Sequence, residues 1–600
     1  MRLHLRCCLF LAINSYYAAS AADLPPADYS QGVKWFPKIW RAYQMPAIPK
    51  PDLTNGRQLR EILQSGKIDL YLPRLDALVE ENSLDMVASH YTVDIAETDI
   101  LRTKSGQAAR GVPGVPQPGE LFATAIGAGV GAASTINAGG TGPTAITAAA
   151  RQIVIGPRGT FDADIQIGAS FDRANSPLNT LQVAGVNVVD TPSSDFLTRF
   201  EKAFATGFTF SVSFNSQRQS STQQFLLYNP AYTSRLSVTM YQPLLNGFGF
   251  AVNRRFINVA KNDLEVSRQL FRQQVSTALV NAQTAYWDLV AAQKSVQAAQ
   301  QALDTAQRLY DDTAQQERLG AAAVLDVMQA RSAMAGSRRD LIIAQTNKKT
   351  KELQLKALIS KSLNPLADVE LATLDPLPEP KESDIPTVQE AIRTAIRNRS
   401  ELIQADLNLR NERIAEQYTR NVMKPTFSIF ANYASSSLTT GAASLLQQVW
   451  LNVPYPEYAA GFSLSITLRN RSAQADNIRA QLELRQQQAV RVRTENQIRM
   501  DVESAIIALT QAKAQVEAGQ EAVNSTQAAF NAEQTKLQVG SSTPYRIIQT
   551  QRDYVAAQSQ EIQAQANYAK ALIQLDRVRG TMLQTNNISL DTLLGGNRNN

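Results

Sequence analysis

The sequence predicts an elongated α+β membrane protein in which two long coiled-coil helical hairpins alternate with pairs of β-strands. Three observations predict it. Apolar residues recur every seven positions at Val275, Ala282, Leu289, Val296, Leu303 and Tyr310, and an alanine follows three residues after each of the first five, at 278, 285, 292, 299 and 306. That is a coiled-coil a/d seam with a large residue at one position and a very small one at the other. The same seam returns in the second half of the chain, with Val502, Leu509, Val516, Val523 and Phe530 at the large positions and Ala505, Ala512, Gly519 and Thr526 at the small ones. An internal repeat of this length outranks any local motif. Between the helical stretches of both halves, the apolar period changes from about 3.6 to 2, the spacing of a strand with one wet face.

In chain order, residues 1–22 read as a signal peptide. Arg2 and Arg6 supply the positive start, 7–13 a short apolar core, and Ser20-Ala21-Ala22 a cleavage site. Both cysteines, Cys7 and Cys8, lie inside it, so the mature chain is expected to have no disulfide and no thiol chemistry. Loss of the two arginines lowers the formal charge from +6 to +4, which says little about partners. Residues 23–75 form an arm rich in proline, with a short helix expected around 58–65. A helical pattern runs from about 74 to 105. Residues 106–160, rich in Gly, Pro and Ala, read as a loop or insertion, since glycines and Pro143 break its apolar stretch.

Three runs then alternate as strands: 161–171, 208–214 and 236–240. Their faces divide into apolar residues and Ser, Thr or Gln, as in a lipid-facing barrel strand with a wet interior; a half-buried soluble sheet reads the same way. The first long helix follows, from about 251 to 319. Its break is Leu319-Gly320-Ala321-Ala322-Ala323-Val324, with Gly320 suited to the left-handed end of a helix. A proline-studded linker occupies 361–386. The second half replays the order: helix from 387 to about 422, strands at 426–433 and 460–468, and the second long helix to Val539-Gly540. Ser541-Ser542-Thr543-Pro544 then starts the return helix, with Thr543 as N-cap and Pro544 at its first position. Residues 586–600 read as a disordered tail. The first half offers three strand runs and the second two, whereas a chain that goes out and returns needs an even number. One first-half run is therefore expected outside the membrane.

Catalysis finds few candidates. His4 leaves with the signal peptide and His90 sits in a polar helix, so neither a Cys/His metal site nor a Ser-His-Asp site can be assembled from several histidines. No phosphate-cradling glycine motif is present. No cofactor is expected, and energy for any transport must come from a partner.

The duplicated order resembles the TolC-like outer-membrane efflux family, the outer membrane factors. The residues that carry the resemblance are the tips Arg318-Leu319-Gly320 with 325–330 and Val539-Gly540 with Ile547-Ile548-Gln549. The helix starts at 81–84 and 398–402, the strand entry at 424–428 and the strand exit at 242–245 carry it further. It covers about 70–585 and divides the chain into a periplasmic arm (23–75), a first efflux-protein repeat (76–360), the linker (361–386) and a second repeat (387–585). The resemblance implies a homotrimer whose protomers each give four strands to a shared 12-stranded transmembrane β-barrel in the outer membrane. Their helices would form a trimeric α-barrel across the periplasm. It implies an export duct without enzymatic activity, serving efflux or type I secretion. The duct would dock on a periplasmic adaptor, or membrane fusion protein, and an inner-membrane pump. The docking residues would be Leu319, Gly320, Ala321, Val324, Val539, Gly540, Ser541, Thr543 and Pro544. The periplasmic entrance would be set by Asp326, Arg546 and Gln549. At this entrance the resembling exporters carry aspartates, and Arg546 departs from them. Asp326 of a neighbouring hairpin is the expected partner of Arg546; in the blander reading, Asp326 only suits the first turn of its helix. A secreted structural coiled coil, such as an adhesin stalk, is the alternative, but it has no need of strand pairs between its helices.

Overall fold

A computed structural model describes residues 29–32, 39–43, 48–63, 67–113, 134–137, 152–155, 161–182, 184–320, 322–441, 455–539 and 541–595. The signal peptide, much of the 106–160 stretch, Ala321 and Gly540 lie outside the described residues.

The two seams set the frame. After a single turn, α4 (Phe250–Asn253), helix α5 (Arg255–Arg318) runs for 64 residues and returns as α6 (Val324–Ile359). Helix α9 (Arg471–Gln538) has 68 residues and returns as α10 (Pro544–Arg579). At ~1.5 Å per residue each long helix spans roughly 100 Å. The seam residues Val275, Ala282, Leu289, Ala292 and Ala306 are buried, as are Val502, Ala505, Leu509, Ala512, Val516 and Val523. The small positions let backbones approach: a Cβ added at Gly519 would lie 3.4 Å from the Cα of Glu561 on the return helix. The return helices cover only the lower part of each long helix. Shorter helices complete the remainder. These are α2 (Leu72–Asn82) with α3 (Leu84–Lys104), and α7 (Val388–Asn398) with α8 (Ser400–Val422). Each pair breaks at a serine boundary, Ser83 or Ser400, within the helix starts read at 81–84 and 398–402, although the helical patterns at 74–105 and 387–422 run through them. Ser83 caps α3 by accepting the Met86 N–H.

The largest core lies where arm and linker wrap the first hairpin. Helix α1 (Arg57–Leu63) leads into strand β1 (Lys67–Leu70), and β1 pairs in parallel with β8 (Glu370–Thr373) of the linker. Leu59, Ile68, Leu70, Leu75, Leu355, Leu366 and Leu371 close around Leu279, Tyr286 and Leu289. Two tyrosines pin the linker to both hairpins: Tyr286 donates to Asp375 at 2.8 Å and Tyr568 to Asp384 at 2.6 Å. Asp288 on α5 joins Lys351 of its own return helix (2.9 Å) and Lys570 of the other hairpin. The linker thus contains a strand that its prolines hide. The tail too has structure: Leu590–Gly595 is a short helix whose Leu590, Leu593 and Leu594 pack on this core.

Within the 106–160 stretch, β2 (Ser134–Asn137) and β3 (Gln152–Ile155) pair antiparallel. The main sheet holds six described strands: β4 (Asp164–Pro177), β5 (Val188–Ala203), β6 (Thr209–Gln219), β7 (Ala231–Pro243), β9 (Thr426–Thr439) and β10 (Tyr455–Ser465). Their spatial order is β10-β9-β7-β6-β5-β4, antiparallel throughout. The resemblance implies four strands per protomer, and β6, β7, β9 and β10 form a continuous run within this sheet. The hairpin β4–β5 extends the same sheet beyond them. The uneven strand count has a simple cause: β5 is a fourth first-half strand. Its Pro192 and the charged run Arg199-Phe200-Glu201-Lys202 obscure its alternation. The run 161–171 is β4, inside the sheet.

Candidate functional site

The molecule has two distinctive ends, the sheet and the hairpin tips. The register sorts the sheet into two faces. One carries Phe196 and Phe200 of β5, Phe210, Val212 and Phe214 of β6, and Leu236, Val238 and Met240 of β7. Across the other pairings the same face continues through Ile165, Ile167 and Phe171 on β4 and through Ile429, Tyr433, Tyr458, Phe462 and Leu464. Much of this face is bare: Ile167 and Phe462 are 70% exposed, Phe171 73% and Tyr458 77%. A soluble sheet would bury it, so the soluble-core reading of these aromatics loses its support. The opposite face is polar and internally bonded. Asn432 donates to Ser237 (3.1 Å) and Thr239 (2.7 Å), and Arg235 pairs with Glu457 at 2.8 Å. An apolar outside and polar inside fit a barrel wall around water.

At the first tip, α5 ends where the Leu319 and Gly320 N–H groups donate to Gln315 and Glu317 carbonyls. Gly320 has φ +74°, a conformation costly for residues with a Cβ. Leu319 and Val324 are exposed, together with Leu325 and Met328, which the sequence reading does not single out as docking residues. At the second tip, Ser541 donates to the Lys536 carbonyl through both N–H (2.8 Å) and hydroxyl (3.2 Å). The Thr543 carbonyl accepts the Arg546 N–H, and Pro544 is the first helical residue, as expected. The Thr543 side chain makes no capping hydrogen bond, so that part of the expectation is corrected: helix entry here rests on proline and backbone. Val539 and Tyr545 are exposed. Beneath the tips, Leu309, Ile547 and Ile548 form a small core, and Phe530 stacks on Tyr554.

The entrance residues do not form one cluster within the protomer. The Asp326 carboxylate accepts the Ala323 N–H at 3.4 Å, which is a helix-start contact, and no ion pair joins it to Arg546 among the described residues. Arg546 and Gln549 are exposed, and the Gln549 amide donates to Asp553 at 3.5 Å. Glu533, across the turn, gathers the charged and polar groups here. The Ser542 hydroxyl donates to Glu533 and holds its carboxyl below the ordinary range, and the positive charges of Lys536 and Arg546 add to this. This Glu533–Ser542–Lys536 cluster escapes sequence reading because its members lie on opposite sides of the turn. The i,i+3 pair Glu533 and Lys536, at 3.4 Å, is its one visible sign. Far from both ends, His90 stands edge-on to Phe271 with Asp94 3.5 Å away. No described helix is long and apolar enough to cross a membrane.

A family model described as outer membrane efflux protein matches residues 202–361 and 391–581, more than half of the chain and one segment in each half. Among solved structures, the chain is similar to the Campylobacter jejuni CmeC outer membrane channel (13% identity, 93% of this chain and 92% of that one, TM-score 0.55). It is similar to a membrane protein from Pseudomonas aeruginosa (14%, 90% and 96%, TM-score 0.55). The open-state Neisseria gonorrhoeae MtrE outer membrane channel is a third (13%, 85% and 88%, TM-score 0.53). At these identities the likeness shows the fold. A comparison with curated proteins finds no match.

Proposed function

Because the chain belongs to the outer membrane efflux protein family, we propose that it is the passive outer-membrane duct of a tripartite efflux or type I secretion system. Three copies enclose one pore, and the hairpins cross the periplasm to an adaptor and an inner-membrane pump. The observation that carries this reading is the bare apolar face of the sheet, joined through long hairpins to tips that are themselves apolar and exposed. Lipid covers the first surface and a partner protein the second, since large exposed apolar surfaces mark membrane and protein contacts. A secreted stalk has no use for the first.

The tips act as the docking surface through Leu319, Gly320, Ala321, Val324, Val539, Gly540, Ser541, Thr543 and Pro544. The entrance is set by Asp326, Arg546 and Gln549. Because Arg546 is exposed at the start of its return helix, it gives the mouth a cationic rim rather than an acidic ring. Pore shape and charge set what passes, as in other channels.

The test compares membrane fraction, oligomer and export in one set of strains. Wild type is expected in the outer membrane as a heat-sensitive trimer. Gly320→Pro locks φ in the negative range where the chain needs +74°. It should abolish export and leave the trimer in the membrane. A protein found only in soluble fractions, or full export by Gly320→Pro, would overturn the reading.

A further inference from the structure

The hairpin β4–β5 lengthens the sheet to six strands, and its geometry says what the extra strands do. We propose that β4 of one copy pairs antiparallel with β10 of a second copy. Each protomer then gives six strands to the barrel, and three protomers close a barrel of eighteen. The count of eighteen rests on the trimeric reading; the edge pairing does not.

Four observations carry this. First, the apolar face does not stop at β6. Ile165, Ile167, Ala169 and Phe171 of β4 stand opposite Phe200, Thr198, Phe196 and Ser194 of β5, in register with Val212 and Phe214 of β6. Second, β4 and β10 are the two ends of the sheet, and each leaves a row of backbone donors and acceptors on its outer side. In lipid such a row must be paired, which only a closed barrel achieves.

Third, polarity and height match. The chain enters β4 from the helical end, where the Phe161 N–H donates to Ser105 just after α3 (2.9 Å), and it leaves β10 into α9. The two edges therefore run in opposite senses, as an antiparallel seam needs. Counted from the helical end, β4 presents Ile165, Ile167, Ala169 and Phe171 outward, and β10 presents Leu464, Phe462, Ala460 and Tyr458. Both bands begin one residue inside the strand and cover seven residues, roughly 20 Å at ~3.4 Å each. The occupant that offers the complement of β4 at the right height is thus a second copy of this chain.

Fourth, the hairpin is built into the base of the sheet. The turn that joins β5 to β6, 204–208, accepts hydrogen bonds from Gly249 N–H and the Gln242 amide at the Thr206 carbonyl. Gly207, at φ +92°, approaches the Gly247 backbone so closely that a Cβ there would sit 2.6 Å from the Gly247 oxygen. Closing the barrel through β6 would require β5 to surrender its eleven paired positions with β6 and this locked turn. Because barrel diameter grows nearly in proportion to strand number, an eighteen-stranded wall is about one and a half times as wide as a twelve-stranded one. The outer end of this duct is correspondingly wide.

Cysteine occurs only at positions 7 and 8, so engineered disulfides in the full chain can read the seam. Ala169→Cys on β4 is combined in turn with Tyr458→Cys, Ala460→Cys and Phe462→Cys on β10. Val212→Cys on β6 is combined with the same three. Val238→Cys with Tyr433→Cys, opposed within one protomer, reports oxidation and folding. After oxidation in the outer membrane and denaturing electrophoresis, at least one β4–β10 combination should link chains into a ladder ending at three. The β6 combinations should link none. Links from β6 to β10, or no link from β4 in any register while the control pair is oxidised, would overturn the edge pairing. A ladder ending at another number would overturn the trimer and leave the edge pairing standing.

Discussion

The two halves of the chain share an order of elements and a seam register, and they differ at both ends of the molecule. In the middle, Leu289 and Leu509 hold matching positions of the two seams and are both fully buried, and Ala292 and Ala512 are both nearly so. At the sheet, the first half supplies four strands and the second two. At the tips, the first half begins its return helix with Asp326, and the second has Arg546 at the same step. In the upper helices, the first half buries Asp76 with the Gln283 amide as its one hydrogen-bond partner among the described residues, whereas the second surrounds Arg399 with Glu401 and Asp501. The difference teaches where the repeat is constrained. A close-packed seam tolerates little change in volume, while the ends of the two repeats carry different strands and different charges.

The comparison breaks most readily at the large seam positions. Leu289→Ala and Leu509→Ala each remove a fully buried side chain, and such changes cost about 2–5 kcal/mol. The temperature at which the oligomer dissociates on gels should fall by a similar amount in both. A large fall in one alone would show that the two seams are not equivalent in energy. Next come the small positions. Ala292→Leu and Ala512→Leu overpack the seam at a cost of about 1–3 kcal/mol each. Full yield of oligomer from the double variant, dissociating at the wild-type temperature, would refute close backbone packing.

Asp76 sharpens the contrast in the upper helices. Burial pushes its carboxyl up to about 6; the Gln283 hydrogen bond pulls the other way and the Glu80 charge adds to the rise. A carboxyl bound more tightly to its proton in the folded state stabilises below its unfolded pKa of about 4, and this contribution is lost as pH rises through about 6. Asp76→Asn should therefore raise the melting temperature at pH 8, by the equivalent of 1–3 kcal/mol as an order of magnitude, and change little at pH 4. Equal effects at both pH values would deny the buried charge. The smallest effect belongs to the tips. Asp326→Asn removes an exposed helix-start acid worth ~0.3–1 kcal/mol, so the oligomer should be unchanged. Arg546→Asp should make the channel sensitive to block by divalent cations from the tip side, while the wild type is blocked weakly. Strong block of both alike would place the governing charge elsewhere.

Much of this was legible in the sequence because a seam repeats itself. A spacing sustained over more than thirty residues marks α5 and α9, and Gly320 and Pro544 mark where they turn. What the sequence hides is local or tertiary. Strand β5 reads poorly because its inward residues Asp195, Arg199 and Glu201 sit among outward Phe196, Thr198 and Phe200 after Pro192. Strand β8 is very short, and its partner β1 lies in the arm, on the far side of the whole first repeat. At the entrance, the acids and Arg546 can be listed from the sequence, but that Ser542 and Lys536 hold Glu533 while Asp326 serves its own helix start depends on how the turns fold.

The most direct test of the account places the two ends on opposite sides of a membrane. Phe225→Cys lies in the loop between β6 and β7, and Val324→Cys at the first tip; both native side chains are exposed. Intact cells are treated with a maleimide too bulky to pass the outer membrane, before and after that membrane is permeabilised. The account predicts that the loop cysteine is labelled at once and the tip cysteine only after permeabilisation. Labelling of the tip in intact cells, or protection of the loop until the membrane is opened, would contradict it.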